Sequence, residues 1–166
     1  MNRRAWLARG LCVGVLHAIA GCSAPMPGAG HPQTASLIWS GRLALNLVTE
    51  PPQSFFATFE LRGTSSVGEL TLTSPLGSVM AALRWSPGEA TLRAGLQTMP
   101  FDSLEALTRH VTGTALPVQA MFDWLDGVNT TGGGWQADLS HLEQGRLVAT
   151  RAQPSPAAEL KLILDR

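Results

Sequence analysis

The sequence predicts an α+β domain in which two helices interrupt an antiparallel sheet. Three observations carry that reading. Apolar and polar residues alternate with period two through most of the chain after Leu37, between Pro- and Gly-containing turns at hairpin spacing. Between Asp102 and Leu125 the apolar spacing becomes that of helices. The chain has 166 residues, the size of a single domain preceded by a leader.

The leader comes first. Arg3, Arg4 and Arg9 precede an apolar run from Leu11 to Ala20, and Ile19-Ala20-Gly21-Cys22 closes it. A basic start, a short apolar stretch and small residues make a secretory signal peptide. The run is about half of the ~20 apolar residues that a spanning helix needs, so it reads as an export address. The order aliphatic, small, Gly, Cys also resembles a bacterial lipobox, whose cysteine takes a diacylglyceryl group before the chain is cut in front of it. Residues 1–21 are then the signal peptide, and Cys22 is the lipidated first residue of a mature chain of 145. The same resemblance implies an outer-membrane destination, because Ser23 stands where an Asp would hold such a lipoprotein in the inner membrane. Residues 22–36 are rich in Ala, Pro and Gly, cannot bury enough apolar area to order themselves, and read as a flexible tether. The folded domain is expected over 37–166.

Within it, Leu43, Leu45 and Leu47 share one face of a first strand that Pro51-Pro52 stops. Phe55, Ala57, Phe59 and Leu61 share a face of the second, with Thr58, Glu60 and Arg62 opposite. Gly63–Ser66 turns the chain into a third strand carrying Leu70 and Leu72. After Pro75-Leu76-Gly77 a fourth runs to Trp85, and Ser86-Pro87-Gly88-Glu89 turns into Ala90–Arg93. Asp102 and Glu105 have capping-box spacing ahead of a helix that carries Leu104, Leu107 and Val111 and ends at Gly113. Pro117 suits the first turn of a second helix, with Val118, Met121, Phe122 and Leu125 on one stripe. Trp135–Leu139, Arg146–Ala152 and a strand carrying Leu160, Leu162 and Leu164 complete the sheet. The order strands, helices, strands gives a curved antiparallel sheet with a helical cap on one face.

Charge and motifs exclude several classes of function. Without the leader's arginines, nine Lys and Arg face twelve Asp and Glu, a balance that disfavours a nucleic-acid partner. Cys12 leaves with the leader and Cys22 carries lipid, so neither a disulfide nor a thiolate metal site is expected. His31, His110 and His141 are scattered, and His110 reads as a cation near a helix end. Asp123 and Asp126 read as a solvated helix face, and Gly132-Gly133-Gly134 lacks the Lys and Ser or Thr of a phosphate loop. No Ser stands in a G-x-S-x-G setting. Neither catalysis, a metal nor a cofactor is expected. Leu76 is the unusual residue: an apolar side chain at the centre of the turn Thr73–Ser78, where polar tips are the rule. It either folds back onto the core or is held out as a hydrophobic probe for a membrane or an apolar partner.

Several of these segments together resemble the LolB family of outer-membrane lipoproteins. They are Gly41-Arg42, Gln53-Ser54-Phe55, Ser74-Pro75-Leu76-Gly77, Trp85-Ser86-Pro87-Gly88, Thr112-Gly113 through Leu116-Pro117, Asp123-Trp124-Leu125-Asp126-Gly127 and Gly134-Trp135-Gln136. The likeness runs from about residue 37 to the end, departing in a shortened segment between Gly127 and Trp135 and in the lack of Tyr. It implies a single-domain open antiparallel half β-barrel with a helical lid over an apolar cavity, similar to that of the carrier LolA. It implies a monomer that receives triacylated client lipoproteins from LolA and inserts them into the inner leaflet of the outer membrane, with no enzyme activity. On that reading Pro75, Leu76 and Gly77 form the insertion loop. Phe59 and Leu72 on the sheet, with Met121, Phe122, Trp124 and Leu125 on the second helix, are candidates for the acyl cavity and its lid, Trp124 lying near the sheet rim. The alternatives are an anchored binder of free lipids or glycolipids with a similar half-barrel, and an anchored hydrolase, which the missing nucleophile motif disfavours.

Overall fold

A computed structural model describes residues 38–165, so Cys22, the signal peptide and the tether lie outside the described residues. Nine strands form one sheet: β1 (Ile38–Leu47), β2 (Gln53–Gly63), β3 (Gly68–Thr73), β4 (Val79–Ser86), β5 (Glu89–Ala94), β6 (Gln97–Phe101), β7 (Trp135–Asp138), β8 (Arg146–Arg151) and β9 (Ala158–Leu164). Helices α1 (Leu104–Thr112) and α2 (Val118–Leu125) lie between β6 and β7, and a single 3-10 turn at Leu142–Gln144 precedes β8. The spatial order is β6-β5-β4-β3-β2-β1-β9-β8-β7, with antiparallel neighbours throughout. Two meanders therefore meet where β9 returns beside β1, pairing Leu43 with Leu162 and Leu45 with Leu160. The sheet is open, with β6 and β7 at its edges.

The β1–β9 seam is close. A Cβ on Gly41 would overlap the Ile163 carbonyl oxygen, so the Gly41-Arg42 pair noted in the sequence reflects a position where only glycine fits. The period-two residues face inward as expected: Leu43, Leu45, Ala57, Phe59, Leu61, Leu70, Leu72, Leu83, Leu92, Leu147, Leu160 and Leu162 are all buried. The helices cover that face, contributing Leu107, Met121, Phe122, Trp124 and Leu125 to the same cluster. Among the described residues the core comes from the sheet, these helices and Leu116 between them, all of which a chain beginning after Cys22 retains.

Three expectations need correction. The helix-capping residue is Ser103, not Asp102: its extended backbone (φ −157°, ψ 157°) lets Oγ accept from the Ala106 amide at 3.1 Å. Asp102 falls between β6 and that cap, and Glu105 lies in the first helical turn. Pro117 precedes α2 as its flanking residue and does not enter its first turn. Strand β6 was not expected at all, because Pro100 argues against a strand; it is tolerated on an edge, where its missing N–H leaves no ladder bond unmade. The predicted stop of α1 stands: Gly113 is left-handed (φ 80°) and donates to the Arg109 carbonyl at 3.0 Å.

Candidate functional site

The Ser74–Ser78 turn is built to hold its tip away from the domain. Gly77 N–H donates to the Ser74 carbonyl at 2.9 Å, Ser74 N–H to the Ser78 carbonyl at 2.8 Å, and Ser78 N–H to Ser74 Oγ at 3.2 Å. Pro75 and Leu76 occupy the two corners, and Gly77 takes a positive φ of 86° that a side chain would strain. Leu76 is 95% exposed. It does not fold back onto the core, so of the two sequence readings the outward one describes this structure.

Leu76 has apolar company that sequence reasoning missed. Val79, at the start of β4, is exposed, and Leu96 in the β5–β6 turn is fully exposed. Continuing the β4–β5 register past Ala82↔Arg93 carries the Gly95-Leu96 turn to the Val79 end of β4. Both leucine-tipped turns therefore lie at one end of the sheet. On the outer face, Phe56 stands opposite Ala44 and is exposed. With Ala44, Pro75, Ile163, Arg42 and Lys161 it borders a depression of about 440 Å³. The signal for Phe56 was available, since alternation that sends Phe55 and Ala57 inward sends Phe56 out.

The candidates for a cavity and lid are brought together in one buried cluster. Phe59, Leu72, Met121 and Trp124 are at most 1% exposed, Phe122 is 5% and Leu125 8%. Phe122 sits edge-on to Trp39 of β1 at 5.5 Å and to Trp85 of β4 at 6.1 Å, so α2 is keyed to two separated strands. Trp124, expected near the rim, is fully buried, and its Nε1–H donates to the Thr130 carbonyl at 2.6 Å. The six residues thus belong to one closed, buried cluster shared by the sheet and α2.

The remaining sequence candidates lead nowhere chemical. His110 is exposed in the last turn of α1, its ring 5.2 Å from that of Phe101. Asp123 and Asp126 are half-buried and exposed, on α2 and just after it. Among the described residues no three His, Cys, Asp or Glu gather as a metal site, and no helix is long and apolar enough to cross a membrane.

The family model for the outer membrane lipoprotein LolB matches residues 38–157, most of the described domain. The chain belongs to the LolB family. It is similar to the outer-membrane lipoprotein LolB of Cupriavidus taiwanensis, at 36% identity over 92% of this chain and 76% of that one. Against the LolB of Bordetella petrii the identity is 28%, over 98% of this chain and 92% of that one. The LolB of Chromobacterium violaceum is 32% identical over 76% of this chain and 72% of its own. Every segment on which the LolB resemblance was first drawn, except the end of the chain, falls inside the matched region.

Proposed function

We propose that this protein is a lipoprotein of the outer membrane, anchored through Cys22 and facing the periplasm. It accepts triacylated lipoproteins from the carrier LolA and delivers them into the inner leaflet. Acyl chains are held between the sheet and the two helices, which act as the lid of an open half-barrel lined by Phe59, Leu72, Met121, Phe122, Trp124 and Leu125. The Pro75-Leu76-Gly77 turn is the part that enters the membrane, and Leu96 and Val79 flank it.

The observation that carries this reading is Leu76: a leucine 95% exposed on a hydrogen-bonded turn, in a chain of the LolB family. A lone exposed leucine needs no explanation, but two exposed leucines on turns at the same end of the sheet give that end an apolar character. Transfer would be set by differences in acyl-chain affinity among carrier, receptor and bilayer, with each step downhill. The test is transfer of a labelled lipoprotein from purified LolA to the soluble chain that begins after Cys22, and from there to liposomes. Cargo that stays on the carrier in the first step refutes the receptor. Free lipid copurifying in place of acylated protein would favour a lipid binder.

A further inference from the structure

Arg151 is the only charged residue among the buried ones of the described domain, at 4% exposure. By alternation with Leu147 and Ala149 it lies on the inward face of β8. Its Nη2 donates to Thr114 Oγ1 and, at 2.9 Å, to the Pro156 carbonyl; its Nη1 reaches the Ala115 carbonyl at 3.5 Å. The guanidinium lies 5.2 Å over the Trp135 ring, and its Nε is buried with no hydrogen-bond partner. Every one of these contacts is neutral, and among the described residues no carboxylate pairs with it. Burial first, and the charge of Arg109 second, push its pKa below the ordinary arginine value, yet an arginine stays protonated. A buried cation without a counter-charge is uncommon, since removing an ion from water is compensated only by a partner.

The residue lines a pocket of about 400 Å³ that gathers more positive character. Arg109 of α1 borders the same space. So does the start of α2, where Pro117 supplies no side-chain cap to the first-turn amides of Val118, Gln119 and Ala120. One carboxylate, Glu105, stands against two guanidinium groups. The other walls are apolar, among them Leu104, Leu116, Trp135 and Pro154. We propose that this pocket binds an anionic headgroup carried on an alkyl chain, the phosphate of a lipid, between Arg151, Arg109 and the α2 N-terminus, with the chain along Leu116 and Trp135. Oriented amides and arginines are the groups that hold phosphate oxygens. The choice of a lipid over an acidic peptide rests on the membrane location proposed above.

The probe is octyl phosphate, titrated by calorimetry into the soluble chain that begins after Cys22, with neutral octyl glucoside and inorganic phosphate beside it. The indole N–H resonance of Trp135, bonded to the Ala115 carbonyl at 3.2 Å, reports on the site. Octyl phosphate should bind about tenfold or more tightly than either comparison compound, weaken with salt, and move that resonance. Arg109→Gln changes an exposed residue, so it should fold normally and lose about tenfold of the affinity for octyl phosphate and none for octyl glucoside. Equal binding of octyl phosphate and octyl glucoside overturns the proposal, as does an unaffected Arg109→Gln. Inorganic phosphate binding as tightly would make it a site for the free ion, and an acidic hexapeptide binding more tightly would make it a peptide site. Either result overturns the lipid assignment. Transfer of lipoprotein from LolA to liposomes is measured separately, so a receptor that moves cargo and ignores octyl phosphate refutes this site alone.

Discussion

Leu76→Glu separates folding, acceptance and delivery in one variant. At 95% exposure Leu76 has almost no packing to lose, and no hydrogen bond of the turn uses its side chain. The change in stability should stay within about 0.5 kcal/mol, as for surface substitutions generally, a shift in melting temperature of under about 4 °C for a domain of this size. In the bilayer the balance differs. A leucine side chain leaving water gains about 1.5–3 kcal/mol, and placing a charged one in the acyl region costs about 2.5–3.5 kcal/mol. The swing of about 4–6.5 kcal/mol is about three to five orders of magnitude in membrane partition, less if the carboxylate keeps contact with the headgroups. The variant should therefore accept a labelled lipoprotein from LolA at the normal rate and fail to pass it to liposomes. Three measurements decide: melting temperature, carrier-to-receptor transfer and receptor-to-liposome transfer. A stable variant that delivers at the wild-type rate refutes the role given to the turn, and a melting temperature lowered by many degrees refutes the exposure on which the reasoning rests.

Other outcomes are expected on the same grounds. Leu96→Glu should also fold normally and slow delivery less than Leu76→Glu does, since it flanks the tip; liposome transfer kinetics of the two variants read this directly. Cys22→Ser should incorporate no labelled palmitate if, as proposed, its thiol is the group that takes the diacylglycerol. Gly41→Ala should destabilise by about 1–3 kcal/mol in urea unfolding, because its Cβ meets the Ile163 carbonyl across the β1–β9 seam. Phe122 is buried against Trp39 and Trp85 in the closed domain, so Phe122→Ala should cost about 3–5 kcal/mol in urea unfolding and also weaken acyl binding; the same stability loss with acyl binding unchanged would make α2 core and not lid.

Most strands were legible because each buries one face, and period two marks the inward residues without reference to the partner strand. Leu43, Phe59, Leu72, Leu83 and Leu160 all point where alternation sends them. The partners were not legible. Nothing local in Leu160 or Leu162 says that β9 returns beside β1, more than a hundred residues earlier, and the glycine that permits it appears in the sequence only as a short motif. Strand β6 was hidden by Pro100, whose effect depends on whether the strand is an edge. Leu76 could be named as anomalous but not placed, because exposure depends on what stands opposite a turn. Arg151 is the opposite case: its position two residues after Ala149 put it on the inward face from the start, and an arginine there was a signal that went unread.

The closed cluster and the proposed holding of acyl chains are compatible if opening exchanges one apolar surface for another. Met121, Phe122, Trp124 and Leu125 are nearly fully buried by the sheet, and exposing four such side chains costs about 1.5–3 kcal/mol each, about 6–12 kcal/mol together. An empty domain would therefore spend little time open, which keeps an adhesive interior away from water. One acyl chain with about 15 methylenes recovers about 0.8 kcal/mol for each one buried, about 12 kcal/mol in all. A single chain thus roughly balances the displaced helix contacts, and two or three exceed them. The same arithmetic favours release. A bilayer buries the chains equally well, and on their departure the proposed lid would regain the contacts of Phe122 with Trp39 and Trp85. Closure of the emptied domain then favours delivery over retention, so the packed core is part of what would drive cargo onward.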